Sequence, residues 1–433
     1  MNSRRTVRIH IHQGHVVDPA NGVDRVADLF IADGRVVGVG SAPAGFVAER
    51  TLDASNLVVC PGLVDLCANL REPGQEHKAT IASETRAAAA AGITTLCCPP
   101  NADPVVDTPA VIDLIHHRAS QAGMARVLTL GALTVDLGGT QLSNMASLKE
   151  AGCVGVSNGA RPMANSLFMR RAMEYAATFD LTVFLHPQDE SLRGNGCVHE
   201  GPISTRLGLP GIPEAAETVA VARDLALIEQ TGARAHFCRL STARAVRMIS
   251  RAQYDGLPVT ADVAAHQLHL TDIDVSDFNS QCHVIPPLRS QRDCEALLAG
   301  IAKGTIAAIT SDHQPHEADA KLDPFSETEP GISALETLLP LTLRLVDSGQ
   351  LDLSGVVTKL SWQPAQILGI DAGRLGVGDR ADICIFDPHT YWEVTPALFV
   401  SRGRNTPFAG WELKGRVMHT LLAGDIVFSR AAQ

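Results

Sequence analysis

From residue 57 onward, apolar runs of strand length alternate with segments of helical periodicity, and this alternation constrains the fold more than any other feature. A strand that feeds a helix and returns to a parallel neighbour builds a parallel sheet covered by helices. The candidate strands are residues 57–65, 92–98, 126–132, 153–156, 181–186, 233–237, 259–263 and 305–312. Eight strands suffice to close a barrel. Residues 78–91, 108–122, 166–178, 213–230, 242–252 and 291–303 carry Ala, Leu and Ile at helical spacing, several with Ser, Thr or Pro near the start. Polar residues collect after Asp65, Cys98, Val156, His186, Phe237, Val263 and Asp312. Those are strand-to-helix connections, the face on which such barrels carry chemistry.

The two ends have a different texture, with short strands and tight turns. Asp33-Gly34 lies between Leu29-Phe30-Ile31 and Val36-Val37-Gly38-Val39, and Gly424-Asp425 precedes Ile426-Val427-Phe428; both are hairpin signals. Each end alone is too short to close a core, so the two are expected to fold together. The expected architecture is α/β: a (β/α)8 barrel over residues 57–370 and a small β-sandwich domain built from residues 1–56 and 371–433.

The chain has 433 residues, 45% of them hydrophobic and 19% charged, which supports a large core and excludes disorder. Aromatic residues are only 4%, so that core must be aliphatic. A formal net charge of −11 argues against nucleic acid or an anionic membrane as partner. The basic start, residues 1–11, has no continuous apolar stretch, because Thr6, Arg8 and His10 interrupt Val7, Ile9 and Ile11; it reads as a strand rather than a signal peptide. No apolar run reaches transmembrane length. The 10 cysteines are scattered without a Cys-x-x-Cys pair and are expected to be reduced, mostly buried thiols of a cytoplasmic protein.

The run Pro61-Gly62-Leu63-Val64-Asp65-Leu66-Cys67-Ala68-Asn69-Leu70-Arg71-Glu72-Pro73-Gly74 resembles the first-strand signature of cyclic amidohydrolases, above all dihydroorotases. The likeness continues through residues 98–105 with Asn101, Leu240-Ser241-Thr242, Pro286-Pro287-Leu288-Arg289, Thr310-Ser311-Asp312-His313-Gln314-Pro315-His316, residues 331–340 and Gly403-Arg404-Asn405-Thr406-Pro407-Phe408. The matches run in order over nearly the whole chain. The resemblance implies a TIM barrel and metal-assisted opening or closure of a cyclic amide. Divalent cations at the barrel mouth make hydroxide and polarise the carbonyl, while an aspartate on the last strand moves the proton.

The ligand set that the resemblance implies survives only in fragments. Cys67 and Asn69 stand where the family has two histidines on one strand face. A thiolate can bind zinc, but a neutral amide is a poor substitute for imidazole. Ser157-Asn158-Gly159-Ala160 replaces Ser-Asp-Asp-Gly, so Asn158 marks the loss of the bridging carboxylate. His186 matches the first middle-strand ligand, with Gln188 in place of the usual acid two residues on. His236 matches the first histidine of a His-x-x-His stretch, but the second, a ligand in the family, is Arg239. Asp312 matches the final aspartate, the family's general base. Two of six metal positions, His186 and Asp312, are therefore retained. Arg239 decides the matter, because a guanidinium stays charged. At 4 Å and an effective dielectric of 20 it would oppose a doubly charged cation by about 8 kcal/mol. Arg239 is expected to take the vacated cation position and pair with Asp312.

At the substrate end, Arg71 and Asn101 match the family residues that hold the carboxylate of dihydroorotate, and His316 matches a further contact. The asparagine expected before Pro286-Pro287 is Ile285, which cannot supply its hydrogen bonds. Each of these residues also has a structural reading. His186 and Asp312 can be hydrogen-bonded mouth residues, Asn101 a turn residue, Cys67 a small buried apolar group, and Arg71 the member of a structural ion pair. His77, His116, His117, His199, His266 and His283 read as surface or packing residues.

The expectation is thus a dihydroorotase-like protein of pyrimidine biosynthesis that has lost catalysis and needs no cofactor. The resemblance to inactive homologues implies that it serves in an oligomer as structural partner of aspartate transcarbamoylase. The alternatives are a working cyclic amidohydrolase with one zinc on Cys67, His186 and Asp312, with or without His236, and a regulator that holds an acidic metabolite on Arg71 and Asn101.

Overall fold

A computed structural model describes residues 7–430 of the chain. Its centre is an eight-stranded parallel sheet whose strands follow one another in chain order: Leu63–Asp65, Ile93–Cys98, Arg126–Ala132, Gly155–Ser157, Val183–Leu185, Ala235–Phe237, Val259–Ala264 and Ala308–Thr310. The last strand returns to the first just past their ends. Ala68 and His313 form a parallel bridge, with Asn69 N donating to His313 O at 2.8 Å and His313 N to Cys67 O at 3.2 Å. All eight expected barrel strands are present.

The helices between them start and stop on local chemistry. Thr80 and Ser83 form a capping box at Ile81–Ala90, Asn165 caps Ser166–Thr178 and Thr242 caps Ala243–Tyr254. Gly123 and Gly232 end Pro109–Ala122 and Glu214–Thr231 in the left-handed conformation. The sixth expected helix is Gln291–Ala302. Leu335–Asp347 is a further long helix that the sequence reading passed over, because Pro340 lies inside it and it is apolar almost all round.

The two ends build one β domain. Its sheet runs in the order Asp425–Ser429, Glu412–Leu422, Ile383–Glu393, Val58–Pro61, Ile9–Asp18, Val23–Ala32, Arg35–Val39, with Arg50–Asp53 also paired to Ile9–Asp18. Residues 57–65, expected as one strand, divide at Gly62. Val58–Pro61 joins the end sheet, whereas Leu63–Asp65 opens the barrel. Gly62 allows the change of partner because a Cβ there would meet Thr94 at 2.3 Å. Both hairpins form. In the closing one, Ala423 adopts the left-handed conformation, held by its N–H donating to Asp382 Oδ1 at 2.8 Å. The described part of the N-terminal stretch is a strand from Ile9; residues 1–6 lie outside the described residues.

The core is aliphatic as expected, and all ten cysteines are free, nine of them buried. Among the described residues no helix is long and apolar enough to cross a membrane.

Candidate functional site at the barrel mouth

The C-terminal ends of the barrel strands bring Cys67, His186, Arg239, His266 and Asp312 to one face. Arg239 Nη1 donates to Asp312 Oδ1 at 2.8 Å and to Cys67 Sγ at 3.4 Å, and the Cys67 thiol in turn faces Asp312 Oδ1 at 3.6 Å. Gln314 Nε2 reaches the same carboxylate oxygen at 3.4 Å. Arg239 and Asp312 are 8% and 2% exposed, and the pair expected from sequence is therefore buried. Both residues hold positive φ, 57° and 48°, which costs energy for side chains of this kind and turns them inward at the strand ends. Asp312 and the thiol hold the Arg239 guanidinium charged more firmly than usual, against the opposing effect of burial. Burial, with Asp312 adding to it, pushes the Cys67 thiol far up, away from the thiolate that would bind metal.

The other expected ligand positions are engaged elsewhere or stand alone. Asn158 Oδ1 accepts from Thr134 at 2.7 Å while its Nδ2 donates to Leu137 O and Arg161 O, so the residue closes a loop. Asn69 Nδ2 reaches His313 O at 3.4 Å. His236 uses both ring nitrogens, on Thr260 Oγ1 at 2.8 Å and Asp262 Oδ2 at 2.9 Å. His236, Cys238 and Asp262 lie close enough to hold an ion, but Asp262 Oδ1 also accepts from Arg239 N at 2.5 Å. This layer supports the backbone of Arg239 from below.

His186 differs from these. Among the described residues neither of its ring nitrogens makes a well-formed hydrogen bond, Gln188 being the near polar neighbour, and burial together with the charge of Arg239 holds the ring neutral. This donor set does not fit a pair of divalent cations. One carboxylate, the imidazoles of His186 and His266 and a protonated thiol are offered, and a permanent cation already pairs with the carboxylate.

The substrate-end residues form a second group beside the mouth. Arg71, also at positive φ, donates from Nε to Pro315 O at 3.0 Å and from Nη1 to Gln75 Oε1 at 3.2 Å, and its Nη2 lies 3.0 Å from His316 Nε2, which also faces Pro330 O at 3.0 Å. Neutral acceptors hold it, not the carboxylate of a structural ion pair. Burial and the neighbouring charges of Arg71 and Lys78 press the His316 pKa down to about 2, so the ring is a neutral acceptor. Asn101 is exposed and shares a recess with Arg71, Asn69 and Gln75. Other matched motifs are structural here. The buried Glu217 carboxylate accepts from the backbone of Ser241 and Thr242, and Arg289 donates to Ser241 Oγ at 3.1 Å.

The sequence reading missed His266 as a mouth residue, and named Gln188 only as a lost acid beside His186. His266, expected as a surface or packing residue, is 2% exposed, directly after the strand Val259–Ala264, with both nitrogens unpartnered. Its position straight after a barrel strand was the available signal.

Residues 56–245 match the family model described as dihydro-orotase-like. The chain is 52% identical over 418 residues, 96% of its length and 99% of the relative's, to the dihydroorotase-like protein of Pseudomonas aeruginosa. It is 44% identical over 422 residues, 98% of its length and 99% of the relative's, to the dihydroorotase of Syntrophotalea carbinolica. In fold it is similar to L-hydantoinase (dihydropyrimidinase) from Arthrobacter aurescens, with a TM-score of 0.88, 22% identity and coverage of 98% and 97% of the two chains. Likeness of this depth, carried through barrel and β domain alike, means that the chain belongs to the dihydroorotase-like family of the amidohydrolase superfamily.

Proposed function

We propose that this chain is a dihydroorotase-like protein without turnover of its own, which acts in the cytoplasm as a structural partner of aspartate transcarbamoylase in pyrimidine biosynthesis. The observation that carries the loss of catalysis is the buried contact of 2.8 Å between Arg239 and Asp312. A general base must be free to take a proton, and Asp312 is instead spent on a permanent cation. A single zinc on Cys67, His186 and Asp312 would have to displace that guanidinium from two of its three ligands. The partner rests on the resemblance to inactive homologues that accompany the transcarbamoylase. The loss of turnover, though not the partner, is in keeping with relatives at 52% and 51% identity that are named dihydroorotase-like proteins, where those at 44% are named dihydroorotases.

The test is metal content by mass spectrometry on the purified protein, followed by ring opening of dihydroorotate with added zinc. Turnover at an ordinary enzymatic rate, abolished in Asp312→Ala, would overturn the reading. The partnership predicts co-purification with aspartate transcarbamoylase and failure of that enzyme to assemble when this chain is removed; normal assembly without it refutes the scaffold role.

A further inference from the structure

The mouth has exchanged more than its metal ligands. His186 follows the strand Val183–Leu185, Arg239 follows Ala235–Phe237 and His266 follows Val259–Ala264, and these three strands are consecutive neighbours in the barrel. Gln188, Arg239 and His266 are 5%, 8% and 2% exposed. Among the described residues, Arg239 Nε and both nitrogens of His266 have no hydrogen-bond partner, and Gln188 Nε2 and the two nitrogens of the partly buried His186 make no well-formed hydrogen bond, although the two side chains lie near each other. Buried polar groups are rarely left so, and a cluster of them at one end of a barrel points to a ligand.

The chemistry of the unpaired atoms selects the ligand. A neutral imidazole offers one N–H and one lone pair, whereas the Gln188 amide nitrogen and Arg239 Nε offer only N–H groups. Donors therefore outnumber acceptors, and the guest must be rich in lone pairs. Charge agrees. Asp312 Oδ1 already accepts from Arg239 and is faced by Cys67 and Gln314, and Arg193 adds a second guanidinium on the His186 side, its own Nε shielded and unpartnered among the described residues. Against this stand Glu190, 3.6 Å from Arg193, and Asp262, whose Oδ1 accepts from the backbone N–H of Arg239 beneath the site. The edge of the Arg239 guanidinium that carries Nε is planar, which suits a trigonal oxyanion better than a tetrahedral one. The depth of the donors excludes a protein loop.

We propose that the former cation site of this barrel is a receptor for a small planar oxyanion, a carboxylate or bicarbonate, bound by Arg239, Gln188, His186 and His266. The site is separate from Arg71, whose guanidinium faces Pro315, Gln75 and His316. The proposal rests on the reading that no divalent metal occupies the mouth.

The test uses the full chain labelled at its histidine ring nitrogens, with the signals of His186 and His266 identified by loss in His186→Gln and His266→Gln. Sodium acetate and bicarbonate are titrated at constant ionic strength, with sodium chloride and zinc chloride as separate arms. The expected result is a saturable shift of both rings with a millimolar dissociation constant. Gln188→Met, which keeps volume and removes the amide, weakens it roughly tenfold. Absence of a saturable shift at ~50 mM oxyanion, an equal shift with chloride, or wild-type affinity in Gln188→Met overturns the proposal and leaves the loss of turnover standing. A stoichiometric response of both rings to zinc, with none to acetate or bicarbonate, overturns both.

Discussion

Arg239 lies 2.8 Å from Asp312 with both side chains at least nine-tenths buried, so the barrel mouth contains its own counter-ion. Removing one partner of such a pair leaves a bare charge in the interior. Arg239→Met is expected to lower unfolding free energy by about 3–5 kcal/mol. Adding Asp312→Asn to it is expected to recover part of the loss, so that the double variant falls short of the sum of the singles. Urea unfolding of the three variants measures this; strict additivity would show the pair to be uncoupled.

Acid should unfold the protein through its histidines. Burial holds His199, His266, His269 and His283 at pKa values of about 4, and His316 at about 2, against an ordinary 6.5. Their folded-state values are depressed, so below pH 6.5 the unfolded chain binds more protons than the folded one. Stability then falls as pH drops from 6.5 toward 4. Near pH 5 these residues alone contribute an uptake of about five protons on unfolding, measurable from the slope of stability against pH.

Glu336 gives the opposite trend at higher pH. Its Oε1 accepts from Val400 N at 2.7 Å and Ser401 N at 3.2 Å, yet burial raises its pKa from 4.5 to about 7. A raised acid binds its proton in the folded state first, so stability declines between pH 4.5 and 7 and then levels off. Glu336→Gln keeps the acceptor without the charge. It is expected to stabilise the protein by up to about 3 kcal/mol at pH 8 and by little at pH 4.5, read from thermal melts at both values.

Gly62→Ala tests the junction between the two sheets. The new methyl would meet Thr94 at 2.3 Å, where both sides are packed. A loss of about 1–3 kcal/mol is expected. Gly62→Ala combined with Thr94→Ser, which removes the opposing Cγ2 methyl and lets the remaining hydroxyl turn away, is expected to regain part of it; no regain would place the strain elsewhere.

Strand and helix periods were readable because each barrel strand is a short apolar run and each covering helix has a polar side. Leu335–Asp347 was not, since a buried helix with an internal proline has neither signal. The division at Gly62 also escaped, because both halves of the run are buried and only their partners differ. At the mouth, the Arg239–Asp312 pair followed from the family resemblance, which set both residues at one metal site, together with their opposite charges. The role of His266 and Gln188 did not, because a missing hydrogen-bond partner is a property of three-dimensional surroundings and leaves no mark in sequence.

The shared end sheet sets an order on synthesis. Val58–Pro61 pairs with Ile383–Glu393, and the whole barrel lies between them in the chain. At ribosomal speeds the early strands wait on the order of half a minute for their partner. During that interval an edge rich in Ile and Val stands open beside a nascent barrel, and a chaperone is the natural guardian of that delay.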